Sequence, residues 1–195
     1  MKKTADLIMS SLVLILLFNI YCTPFVYASR AIEFSHNLGG LPISCSIYRE
    51  QASLKNICVG YSERDVRAIL GKPSWVNRKE PLTLYYKNGL SLKFVNYGGD
   101  GIPLVVGIKV TGNSGYSTLD GIKVGMSEKD IIKVYGEPDT ITTEMHKAPK
   151  LSAEKNKKYE RLNKTIYTYY ANPMLTLSFT LNNGIIKSID IYQTD

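Results

Sequence analysis

Only two histidines, His36 and His146, occur in the chain, and they stand in unrelated segments. Histidine is the side chain best suited to moving protons near neutral pH, so the chain has little material for acid and base catalysis. The three cysteines and two histidines form no zinc-ligand spacing. The Gly-x-Ser-x-Gly elbow, the H-E-x-x-H string and the glycine-rich phosphate loop are missing as well. The sequence therefore reads as a protein that is not an enzyme, with no metal and no cofactor. YGGDGIP, Tyr97 to Pro103, offers a single carboxylate, Asp100, where a calcium site needs several, so its Gly and Pro content reads as a turn.

Long apolar runs are scarce too, and the one that exists lies at the start. MKKTADLIMSSLVLILLFNIYCTPFVYAS has two lysines, an apolar run from Leu7 to Ile20, then small residues around Ala28. That is the layout of a cleaved secretory signal peptide over residues 1–28, and the run falls short of the roughly 20 residues that cross a bilayer. Asn19, Ile20 and Tyr21 precede Cys22, whereas a lipidated cysteine requires small residues there. The expectation is a secreted or periplasmic protein, not lipidated, with no stable membrane span after leader removal. The formal charge of +7 falls to +6 when Lys2, Lys3 and Asp6 leave. Such a balance favours anionic partners, and export argues against nucleic acid.

Two cysteines remain after the leader, Cys45 and Cys58. In an oxidising compartment they read as one structural disulfide tying an N-terminal arm, residues 29–52, to the segment that begins at Ser53; the alternative is a reactive thiol, which needs a nearby base.

What the chain has instead is a repeat. SLKNICVGYSERDVRAILGKP, Ser53 to Pro73, aligns at an offset of 65 with TLDGIKVGMSEKDIIKVYGEP, Thr118 to Pro138. Ser62 and Ser127 stand where a hydroxyl caps the first helical turn, and Glu63, Asp65, Glu128 and Asp130 face the positive end of the helix dipole. Val66, Ile69 and Leu70, like Ile131, Val134 and Tyr135, fall at helical spacing. Gly71 and Gly136 end each helix in a left-handed conformation, and Pro73 and Pro138 prevent resumption. The period then changes to 2. Leu82, Leu84, Tyr86, Leu90, Leu92 and Phe94 share one face, with Asn88 and Gly89 forming a hairpin turn. Ile166, Thr168, Tyr170, Leu175, Leu177 and Phe179 are the expected counterparts. A further strand closes each half, near Val105 to Val110 and Ile185 to Ile191.

The fold class expected is α+β: two tandem units, residues 53–114 and 115–195, each a short helix packed on a three- to four-stranded antiparallel sheet. The second face of each sheet is expected in water. Tyr85, Ser91 and Lys93 would lie there in the first unit, and Tyr167, Tyr169, Thr176, Ser178 and Thr180 in the second. Tyrosines among small hydroxyls suit a binding surface, because Tyr offers large contact area at low entropic cost; they also suit strands as such.

The pattern I-x-V-G-M-S-x-x-D-I ending in Gly-x-Pro, over Ile122 to Asp139 with Thr165 to Asp190, resembles the SmpA/OmlA (BamE-like) envelope proteins, and Ile57 to Pro73 is a looser copy. The tandem arrangement is similar to the BLIP-like superfamily, over Leu54 to Ile191. The resemblance implies non-enzymatic protein binding, in support of envelope assembly or in inhibition of a secreted enzyme. It also departs from the family: BamE-like proteins are normally single units anchored through a lipidated cysteine.

The second unit carries an insertion, residues 142–163, rich in lysine. It reads as a solvated segment or as a basic arm that steers an acidic partner. The expected contacts with a partner protein are Trp75, Tyr85, Lys93, Tyr167 and Tyr169, with Lys157 and Lys158 in the arm. Recognition of an anionic cell-wall or surface polymer is the alternative.

Overall fold

The computed structural model describes residues 45–54, 56–96, 101–144 and 163–193. All belong to one compact unit, Ala31–Asp195; the other unit, Met1–Arg30, lies outside the described residues.

Two eight-residue helices, α1 (Glu63–Leu70) and α2 (Glu128–Tyr135), start as the sequence predicts. Ser62 and Asp65 exchange hydrogen bonds in a capping box, and Ser127 and Asp130 repeat it. Each box satisfies two backbone donors that a helix start otherwise leaves unpaired. These bonds, side chain first and backbone second, hold both aspartates below the usual carboxylate range. Gly71 and Gly136 stop the helices at φ of +74° and +76°, a region that a Cβ disfavours.

Each helix buries fewer residues than its spacing promises. Val66, Ile131 and Tyr135 are buried, while Ile69 and Val134, one residue before the last of each helix, are exposed.

The strands are β1 (Trp75–Asn77), β2 (Leu82–Tyr85), β3 (Leu90–Val95), β4 (Leu104–Thr111), β5 (Thr140–Glu144), β6 (Lys164–Asn172), β7 (Leu175–Asn182) and β8 (Ile185–Gln193). They form a single sheet in the order β1-β2-β3-β4-β8-β7-β6-β5, antiparallel at every junction. This corrects the expectation of two tandem helix-on-sheet units. The last strand of each half, β4 or β8, would otherwise present a row of unpaired amides and carbonyls. The two pair with each other instead, Ile108 opposite Ile191 and Val110 opposite Ile189, and the halves share one sheet and one core.

That core lies between the helices and one face of the sheet. Leu84, Leu92, Phe94, Ile108, Ile191, Leu177, Phe179 and Tyr169 are each at most 2% exposed. Each large apolar side chain so buried contributes about 1.5–3 kcal/mol. Tyr135 of α2 meets Tyr169 and Phe179 at centroid distances of 5.5 and 5.6 Å. The hairpin between β2 and β3 turns at Asn88 and Gly89 as expected, both with positive φ. Gly89 has a further reason to be glycine, since a Cβ there would lie 2.0 Å from the carbonyl oxygen of Thr111.

The two halves repeat their contacts. Gly60 donates its N–H to the Val105 carbonyl at 2.8 Å, and Gly125 donates to the Ile186 carbonyl at 2.9 Å. Tyr86 donates its hydroxyl to the Gly71 carbonyl at 3.3 Å, and Tyr169 donates to the Gly136 carbonyl at 2.8 Å. In both halves a tyrosine, Tyr86 just after β2 and Tyr169 within β6, therefore reaches the end of the helix and satisfies a carbonyl that the helix end exposes.

Candidate binding face

The face of the sheet turned away from the helices is assembled by register. Directly paired residues share a face, so the pairings give two long rows. One runs Trp75, Tyr85, Ser91, Lys109, Asp190, Ser178, Thr168. The next runs Thr83, Lys93, Gly107, Tyr192, Thr176, Tyr170. Apart from three charges and the aromatic rings, the rows are hydroxyl-bearing residues and one glycine.

At the β1 end Trp75 and Tyr85 stack at a centroid distance of 4.7 Å with a tilt of 37°. Trp75 is 58% exposed and Tyr85 37%. An exposed aromatic pair of this kind combines contact area with few rotatable bonds, which is why such residues dominate binding energy at interfaces.

At the centre Gly107 has no side chain, and its neighbours occupy the place of one. A Cβ on it would lie 3.3 Å from Cδ2 of Tyr192 and 3.4 Å from Cβ of Lys93, so those two side chains lean over the bare backbone. Beside them lies a shallow depression of about 310 Å³ that Thr83, Ser91, Lys93, Lys109, Asp190 and Tyr192 border. The Lys93 ammonium stands 5.4 Å from the centroid of the Tyr192 ring, within range of the ring's negative face. Lys109 Nζ lies 2.7 Å from Oδ1 of Asp190, whose other oxygen accepts from Ser188 Oγ at 2.8 Å.

Of the residues expected in a binding site, Trp75, Tyr85 and Lys93 lie together on this face. Tyr167 and Tyr169 do not, and the expectation for them is corrected: they are 7% and 0% exposed and face the helices. The cause is a bulge between Tyr170 and Asn172. Ala171 is the extra residue, and one extra residue moves every side chain before it to the opposite face. Ile166, Thr168 and Tyr170 accordingly take the open face. Tyr167 donates its hydroxyl to Glu128 at the start of α2. Burial first, and the Glu128 carboxylate second, push its pKa up to about 12. Lys157 and Lys158 lie outside the described residues.

Cys45 and Cys58, expected as a disulfide, are not bonded to each other. Ser46 Oγ donates to Asp139 at 2.5 Å and the Ile47 amide to the Tyr170 carbonyl at 3.4 Å. These contacts carry the arm to the start of β5 in the second half. Burial, then the Asp139 carboxylate, raises the pKa of the Cys45 thiol. Cys58 sits in the first half, between Ile57, bonded to Leu54, and Gly60, bonded to Val105.

Tyr192 also lies on this face, and the expectations from the sequence did not include it. The signal was available: Ile189 and Ile191 point inward, so period 2 sends Asp190 and Tyr192 outward, provided the last strand is carried to Gln193.

Among the described residues no group of three His, Cys, Asp or Glu side chains could hold a metal ion. No helix among them is long and apolar enough to cross a membrane. His36, His146 and Asp100 lie outside the described residues. Neither protein-family models, nor curated proteins, nor solved structures give a match to the chain.

Proposed function

We propose that this is an exported, non-enzymatic binding protein that holds another envelope or secreted protein against the open face of its sheet. The observation that carries this reading is the exposed Trp75 and Tyr85 pair, in the same row as Ser91 and beside the Lys93 and Tyr192 depression. A partner covering this face would bury two large rings and a lysine stem, with hydroxyls around them to exchange hydrogen bonds. The two rings match the composition of an interface centre, where Trp and Tyr are enriched. Eight strands in one sheet over one core make the face rigid, which lowers the entropic cost of docking. Support of envelope assembly and inhibition of a secreted enzyme both use a surface of this kind.

The test is retrieval of a partner from envelope and culture medium by the purified protein, beside variants Trp75→Ala and Tyr85→Ala. Each variant should weaken binding of one defined protein by more than about 1 kcal/mol while circular dichroism stays unchanged. Equal retrieval by all baits would sink the proposal. Recovery of polymer alone, released by salt, would favour the anionic cell-wall or surface polymer suggested by the charge of +7, since screening weakens such contacts steeply.

A further inference from the structure

The geometry points to a carboxylate of the partner, presented between apolar side chains, as the group that enters the central depression and meets Lys93. This inference rests on the proposed use of the open face and names the chemistry at its centre.

The two rows that cross the middle of the sheet carry three charges, and two of them cancel. Lys109 is paired with Asp190 at 2.7 Å, and the second oxygen of Asp190 is occupied by Ser188. Lys93 forms no ion pair among the described residues; its ammonium rests over the ring of Tyr192. The centre of the face therefore has one uncompensated positive charge. The depression beside it, about 310 Å³, is large enough for a carboxylate and the carbons that bear it.

A carboxylate fits on several counts. Lys93 offers charged N–H donors, and charge-assisted hydrogen bonds are roughly twice as strong as neutral ones. The hydroxyl of Ser91, bordering the same depression, can donate to a second oxygen, while that of Thr83 is already given to the Pro81 carbonyl. The Tyr192 ring holds the lysine at the depression and, 41% exposed, can take an apolar neighbour on its open edge. A second cation is disfavoured by Lys93 itself, and a neutral side chain would leave the lysine desolvated without a counter-charge.

The test uses the purified protein and two blocked tripeptides, acetyl-Leu-Glu-Leu-amide and its Gln counterpart, followed by NMR. The Glu peptide should shift the resonances of Lys93, Gly107 and Tyr192. The Gln peptide should bind about fivefold more weakly, the loss expected of a contact worth about 1 kcal/mol. Lys93→Gln should remove the preference for Glu, and Lys93→Arg should keep it. The proposal is overturned if the two peptides bind alike, if neither moves Gly107 and Tyr192, or if Lys93→Gln leaves the preference intact. It is also overturned if dextran sulfate displaces the Glu peptide and itself binds these residues far more tightly, because the occupant is then a polyanion. Failure here with loss of partner binding in Trp75→Ala and Tyr85→Ala would reject the carboxylate and leave the binding face standing. Indifference of the partner to those two substitutions would reject the face itself.

Discussion

Lys109 on β4 and Asp190 on β8 stand directly opposite each other, Nζ 2.7 Å from Oδ1, at the seam where the two halves of the sheet join. Each holds in its own half the place that the other holds in its half. The pairs that flank them show this: Ile108 faces Ile191, and Val110 faces Ile189, while Val105 and Ile186 make the same bonds to the repeated glycine segments. At such a position identical residues would bring like charges together, and opposite charges let the seam close. Lys109→Asp should destabilise the fold, Asp190→Lys likewise, and the double exchange should recover most of the loss. Both side chains are partly exposed, so each single change should cost at most about 1 kcal/mol. Urea unfolding of the four proteins as a double-mutant cycle measures this.

The hydroxyl of Tyr169 reaches the Gly136 carbonyl at 2.8 Å from a fully buried ring, and Tyr86 reaches Gly71 at 3.3 Å. Tyr169→Phe keeps the ring and leaves that carbonyl without its partner. It should cost about 1–2 kcal/mol, and Tyr86→Phe, which loses a longer bond, should cost less. Equal or absent losses in thermal unfolding would contradict this role.

Gly89→Ala should be the most damaging single methyl in the β2 to β3 hairpin. The added Cβ meets the Thr111 carbonyl oxygen at 2.0 Å, and Gly89 also has a φ of +82°. The neighbouring strand must shift to admit it, at a cost of about 2 kcal/mol or more. Gly112→Ala, where φ is +68° and nothing lies within 4 Å, should cost only the conformational strain, about 1 kcal/mol. Stability measurements on the pair separate steric contact from backbone preference.

Alkali should unfold the protein through its tyrosines. An unfolded tyrosine ionises near pH 10, whereas folding pushes Tyr167 up to about 12 and raises Tyr135 and Tyr169 as well, chiefly through burial. Below pH 10 both states are neutral and the contribution is complete. Above it the unfolded chain loses protons that the folded one retains, so stability falls as pH rises. Tyr167→Phe should flatten the part of that fall lying between about pH 10 and 12. Urea midpoints across that range test it.

Local chemistry was legible in the sequence wherever the cause was itself local. The capping residues Ser62 and Ser127, the stops at Gly71 and Gly136 and the Asn88–Gly89 turn each depend on a few neighbours, and all form as read. The face of β6 was not legible, because it depends on whether Ala171 pairs or bulges, and period alone does not say. Nor was the joining of β4 to β8, since unpaired strand edges carry no sequence mark of the edge they will meet. The short edge strands β1 and β5 were missed for a related reason: with three and five residues, they owe their extended form to the neighbour they pair with. On the open face the sequence placed Tyr85 and Lys93, gave Trp75 no strand, reversed Tyr167 and Tyr169, and left out Tyr192.

If the proposed function is right, the open face, and not the helix side, meets the partner. A photoreactive benzophenone amino acid placed at Thr83, on the open face beside Lys93, should give one defined protein adduct in cells. The same group at Lys133, exposed on α2, should give none. Adducts from Lys133 alone, or none from Thr83, would contradict the proposed function.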